Sequence, residues 1–243
     1  MRLLTLALLL AADDPPIPAG QRLHMDQELD AAIEKATATI KENSKAIDAY
    51  SSRGDALFKR GRFTEAADDY EKMVELDPKL DTGHWRRGIA CFYAGRFEKA
   101  ARQFEIYHSF DDVDRENGIW RYFSQYKAAG KDKAKAGLLK YAKDDRQPFP
   151  AVYQLFEGKR RADQVLADVE AAKLGDDEKE QRRFYAYLYV GLNAAVEGRA
   201  EEAATVLRKA VENKWAPQAG YGPEYMWHVG RVHYDLLVTP KKD

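Results

Sequence analysis

Five histidines, a single cysteine and several adjacent acidic pairs are the residues of this chain that could carry chemistry. A helical metal site needs two histidines at i, i+4, and none of His24, His84, His108, His228 and His233 pair that way. His228 and His233, with Glu224 and Asp235, form the densest local group. Their spacing of five turns two side chains about 140° apart on a helix, so they read as structural histidines. Cys91 has no second cysteine to bond to and reads as a small buried residue. Asp68-Asp69 and Asp111-Asp112 are adjacent, diverge on a helix and read as solvated faces. Gly220-Tyr221-Gly222 precedes a helical stretch as phosphate loops do, but no lysine follows and no strand comes before. No catalytic, cofactor or metal site is spelled, and the chain reads as non-enzymatic.

Composition narrows the class further. A third of the 243 residues are charged (33%), above the usual quarter or so, which suits many exposed helix faces. The formal charge is −1, without the basic excess of nucleic-acid binders.

What must position these residues is a repeat. Gly54 to Gly88, Gly61 to Gly95, Phe63 to Phe97, Ala66 to Ala100 and Tyr70 to Phe104 are each separated by 34 residues. That period belongs to stacked helix–turn–helix units, and it predicts an all-α fold. Small residues let paired helices approach, with Gly54 and Gly88 expected to face Ala66 and Ala100. Gly61 and Gly95 are expected to end the first helix of each unit in a left-handed turn, and Pro78 to stop the second. One hairpin cannot bury its own apolar face, so stability has to come from stacking.

The recurring glycines, aromatics and the GRF-x-x-A-A turn resemble the tetratricopeptide repeat (TPR) family. The resemblance implies a right-handed superhelical solenoid of helical hairpins that serves as a protein-binding scaffold. The layout is also similar to periplasmic TPR lipoprotein adaptors, although the lipid-acceptor cysteine of that group is missing.

Along the chain, residues 1–12 read as a signal peptide with an imperfect cleavage site: Arg2, then the apolar run Leu3–Leu10, then two alanines. That run is too short to span a bilayer, so no integral membrane segment is expected in the mature chain. Residues 13–25 read as a flexible, proline-rich linker. Residues 26–144 carry the N-terminal repeats: a half repeat at 26–44, full repeats at 47–80 and 81–114, and a degenerate pair at 117–144 whose second helix is lined by Ala134, Leu138 and Tyr141. Residues 145–177 form a connector with two short helices. Residues 180–238 restore the repeat and add a capping helix. The expected location is secreted or periplasmic, with the cytoplasm as the alternative.

TPR arrays bind peptides in the groove lined by the first helix of each hairpin. The positions that match are Asp55, Phe58 and Lys59 in the first repeat and Trp85, Ile89, Phe92 and Tyr93 in the second. Asp55 and Ile89 stand where capture of a C-terminal carboxylate would need polar donors. The strip Phe58, Trp85, Ile89, Phe92, Tyr93 instead suits an apolar or amphipathic partner helix. The competing reading is that the chain's own C-terminal helix covers the strip. Self-association through the strip is the alternative function, and no cofactor is implied.

Overall fold

The computed structural model describes residues 14–239. These form α1 (Ala19–Glu42), α2 (Ile47–Lys59), α3 (Phe63–Leu76), α4 (Trp85–Tyr93), α5 (Phe97–Tyr107), α6 (Arg115–Ala129), α7 (Lys131–Ala136), α8 (Phe149–Glu157), α9 (Ala162–Ala171), α10 (Asp176–Val196), α11 (Ala200–Glu212) and α12 (Tyr221–Val238). There is no strand among the described residues. Each helix packs on its neighbour in sequence through most of the array, the arrangement of an all-α solenoid of hairpins. Two helices depart from this: α8 packs on α6 and α10, and α12 touches α11 and α10 and then reaches back to α2.

The repeat is visible at atomic detail. α2 ends where Gly61 takes φ +76°, with Gly61 N donating to Phe58 O (2.9 Å) and Arg62 N to Leu57 O (2.8 Å). Those paired bonds satisfy carbonyls that a helix end leaves free, and the left-handed residue is one that glycine adopts without strain. Gly95 and Gly198 close α4 and α10 by the same two bonds. Polar pairs keep the register too. Arg53 holds Asp69 with two bonds (2.7 and 2.8 Å), and 34 residues on Arg87 donates to Gln103 (2.6 Å).

Four expectations need correction. A Cβ on Gly54 would lie 2.7 Å from the Tyr70 ring and one on Gly88 2.5 Å from Phe104, so these glycines face aromatic rings rather than Ala66 and Ala100. Residues 19–25 are the first turns of α1 and not flexible linker; Pro18, at φ −55°, leads into a helix anchored by Arg22 on Asp235 (2.8 Å), while Ile17 is buried in the core. α7 stops at Ala136, so Leu138 and Tyr141 lie outside it. The cause is Gly137: its carbonyl accepts from Arg121, and a Cβ there would sit 2.2 Å from Gln125 Oε1, so the chain turns off hard against α6. The fourth concerns the groove, taken up below. The expected signal segment, residues 1–12, lies outside the described residues.

Candidate functional site: a filled groove and the cavity beside it

The seven groove positions do converge on one surface, and α12 lies on it. Phe58, fully buried, stacks on Tyr225 at 5.1 Å, and Trp85 meets the same ring edge-on at 5.0 Å. Lys59 Nζ pairs with Glu224 at 2.7 Å, and its carbonyl accepts from Arg231. Asp55 accepts from Tyr70, Arg86 and Tyr221, each at 2.6 Å. The Tyr93 hydroxyl bonds His233 Nδ1 at 2.8 Å. Ile89 and Phe92 are buried, the latter against Trp120 at 5.5 Å. An open groove is therefore not what this strip forms, because α12 is a helix with more apolar surface than α11 alone can cover. Tyr225, Val229 and Val232 are buried along it, together with Met226 and Trp227.

Polar groups fix the register of α12. His228 Nδ1 accepts from Arg231 Nε (3.2 Å) while Nε2 donates to Glu224 (3.1 Å), so the neutral ring is held in one tautomer. Burial, first, holds its pKa down at about 4, and burial does the same to His233, also at about 4. Arg231 is 1% exposed, and desolvation lowers even its guanidinium to about 10. Glu224 is lowered to about 2: burial opposes its charge, but bonds from His228 and Lys59 outweigh it.

Beside the seat of α12 a cavity of about 400 Å³ remains. Its walls come from α4, α5, α6 and α10 and from the first turns of α12. Trp85, Trp120, Tyr185 and Trp215 give it aromatic surface, and Asp114, Glu116 and Arg146 give it charge. Asp114 caps α6 by accepting from Glu116 N (2.9 Å). Arg146 reaches Glu116 from the loop before α8, and Tyr189 donates to the other Glu116 oxygen. Desolvation, reinforced by Glu116, raises the Asp114 pKa to about 7, and desolvation also raises that of Glu116.

With this geometry in place, the tetratricopeptide repeat family model matches residues 47–80, the first full repeat. The chain is a tetratricopeptide-repeat protein. It is 47% identical to "Small glutamine-rich tetratricopeptide repeat-containing protein 2" of Mycosarcoma maydis over 20% of this chain and 14% of that one. It is 31% identical to "Protein SGT1 homolog" of Oryza sativa subsp. japonica, over 37% and 24% of the two chains. With "Hsp70-Hsp90 organizing protein 3" of Arabidopsis thaliana it shares 32% identity over 28% and 12%. The matches thus span a quarter or less of these relatives.

In this TPR protein the histidines do not form one cluster. His228 faces Glu224 and Arg231, whereas His233 faces Tyr93. Among the described residues no group of three or more His, Cys, Asp or Glu side chains is placed to hold a metal ion. Cys91 is buried, which pushes its thiol up to about 11. The polar cavity residues Asp114, Glu116, Asn117 and Arg146 escaped detection from sequence. Asp114, Glu116 and Asn117 open α6, which carries no spacing that marks its first turn as a site, and Arg146 comes from the loop before α8.

Proposed function

We propose that this TPR protein is a non-enzymatic adaptor whose groove takes an amphipathic helix from a protein partner, and that α12 is the stand-in for that helix within its own chain. The observation behind this reading is the seat itself: Tyr221, Tyr225 and His228 follow one helical stripe, at i, i+4 and i+7, onto Asp55, Phe58 and the Glu224–Lys59 pair. Helix-in-groove recognition uses anchors at those intervals. The names of the Hsp70-Hsp90 organizing proteins, which speak of arranging other proteins, support a protein partner here as well. Asp55 is engaged by three donors and Ile89 is apolar, so the groove reads helical side chains rather than a terminal carboxylate.

The test uses the full chain and a labelled peptide of residues 221–238. Tyr225→Ala removes a buried aromatic anchor, a change that costs about 3–5 kcal/mol in a core, and loosens α12 in place. The peptide should then bind the Tyr225→Ala chain and bind it more weakly once Trp85→Ala is added. A Tyr225→Ala chain that stays folded yet ignores the peptide refutes the reading.

We read residues 1–12 as an export signal, which makes the adaptor secreted or periplasmic. Cell fractionation with N-terminal sequencing of the mature protein decides between that and the cytoplasm. The alternative function, self-association by exchange of α12 between copies, predicts a dimer that builds up with concentration in sedimentation.

A further inference from the structure

Among the described residues Arg146 is the one base on the cavity wall, and it is engaged. Its guanidinium holds Glu116, lies 3.3 Å from Asp145 Oδ1 and sits over the Phe149 ring at 4.4 Å. An anion entering the cavity would find no free positive charge. Asp114 is the opposite case. Among the described residues its carboxylate receives a backbone N–H from Glu116 and no lysine or arginine ion pair. With both acids ionised, the wall holds one negative charge more than Arg146 balances, in a space that water leaves on ligand entry.

Two residues of this lining also carry buried polar atoms without partners. Trp120 Nε1 is buried and donates to nothing, and both ends of the buried Asn117 amide lack a hydrogen bond of good geometry. The Tyr141 hydroxyl comes near Asn117 but gives its proton to the Asp114 carbonyl (3.0 Å). Buried polar groups are almost always paired, and unpaired ones at a cavity wall mark where a ligand's groups go. Aromatic faces attract cations, most of all when desolvated. The volume, about 400 Å³, lies in the range of small-molecule sites.

The geometry points to a site for a small organic cation, an ammonium or guanidinium compound. Its charge rests on Asp114 between Trp85, Trp120, Tyr185 and Trp215. The site shares Trp85, Ile89 and the first turns of α12 with the helix seat, but its charged groups lie at the start of α6 and in the loop before α8, so cation binding is tested independently of any partner helix.

A bound cation favours the ionised form of Asp114 and so offsets its desolvation; binding releases a proton and weakens as pH falls through about 7. The groups facing Asp114 are Glu116 on α6, Arg146 and Asp145 from the loop, Tyr107 on α5 and Tyr185 and Tyr189 on α10. The tyrosines are all raised by burial and stay neutral in this window, while Glu116 shifts in the same direction as Asp114.

Three of the four tryptophans line the cavity, so intrinsic fluorescence reports its filling. Choline, Nα-acetyl-lysine amide and the uncharged choline isostere 3,3-dimethylbutanol are titrated into the full chain, with calorimetry alongside. Both cations should saturate and the alcohol should not. Asp114→Asn keeps an oxygen to cap α6 and should weaken the cations by roughly tenfold, the loss expected for one desolvated charge pair. Tighter binding of the lysine amide than of choline means that a protein side chain is the natural source; the reverse order means a free metabolite. Cations that bind no better than the alcohol overturn the proposal, as does an unchanged affinity in a folded Asp114→Asn chain. Should that variant not fold, the wild type decides: a cation affinity that stays flat from about pH 8 to pH 6 is equally fatal.

Discussion

Acid should release α12 before it unfolds the rest of the array. The perturbation is a fall from about pH 7.5 to pH 5. Both imidazoles of α12 that face the groove are held from 6.5 down to about 4 in the docked helix. A base whose pKa is depressed in the docked state binds fewer protons there than when released. Its contribution is therefore complete above pH 6.5 and is lost as pH falls toward 4. At pH 5 each ring would cost about 2 kcal/mol relative to neutrality, and near pH 4 about 3 kcal/mol. Protonating His228 would also turn a donor toward the guanidinium of Arg231, which now donates to its Nδ1. The charged groups around the two rings are Lys59 on α2, Lys127 on α6, and Glu224 and Arg231 on α12 itself, with Tyr93 of α4 bonded to His233. Glu224, lowered to about 2, keeps its charge across this window. Asp114, raised to about 7, works in the opposite sense and is protonated on the way down, so only a comparison of variants isolates the imidazoles. Hydrogen exchange of residues 221–238, corrected for intrinsic rates, should lose protection between pH 6.5 and 5, ahead of α2 and α3. A chain carrying His228→Gln and His233→Gln should not show that selective loss. The same loss in that double variant, or none in the wild type, would refute the reasoning.

Three other outcomes are expected. Gly191→Ala should destabilise the chain by about 1–3 kcal/mol in urea unfolding, because its Cβ would lie 2.7 Å from Leu207 Cγ and 3.2 Å from the Leu207 backbone nitrogen. Gly20→Ala, with nothing near its Cβ inside a helix, should gain a few tenths to about 1 kcal/mol by propensity alone. Cys91, with its thiol pushed up to about 11 by burial, should resist thiol reagents at neutral pH until denaturant opens the fold.

What was legible in the sequence was whatever repeats. The 34-residue recurrence located the hairpins because the same physical problem, closing a helix and bringing a second one onto it, is solved with the same residues each time. Gly61 and Gly95 are the clearest instance. Even Gly191 against Leu207 keeps the register of Gly54 against Tyr70, each pair being 16 residues apart. The early end of α7 was not legible, since it turns on the close approach of Gly137 to Gln125 across two helices. Nor was the cavity, where the polar start of α6 meets Arg146 and the aromatic walls of α4, α10 and the loop before α12 only in three dimensions.

The filled groove was illegible for a different reason. A strip such as Phe58, Ile89 and Phe92 is apolar whether a partner or the chain's own helix covers it, so hydrophobicity does not distinguish the two. The polar contacts do separate a specific seat from simple core. Lys59 with Glu224 is a half-buried pair, and Arg231 on the Lys59 carbonyl is buried, so desolvation offsets much of their mutual attraction. Pairs of that kind add less affinity than they add discrimination between registers. A helix that displaces α12 must therefore offer an acid where Glu224 stands and a base one heptad later, where Arg231 stands. The 221–238 peptide with Glu224→Arg and Arg231→Glu keeps every aromatic anchor and breaks that code. It should compete for the loosened groove at least about tenfold less well than the native peptide, the cost expected for buried charges left unpaired. Equal competition by the two would mean that the aromatic contacts alone seat the helix and that the groove does not read charge.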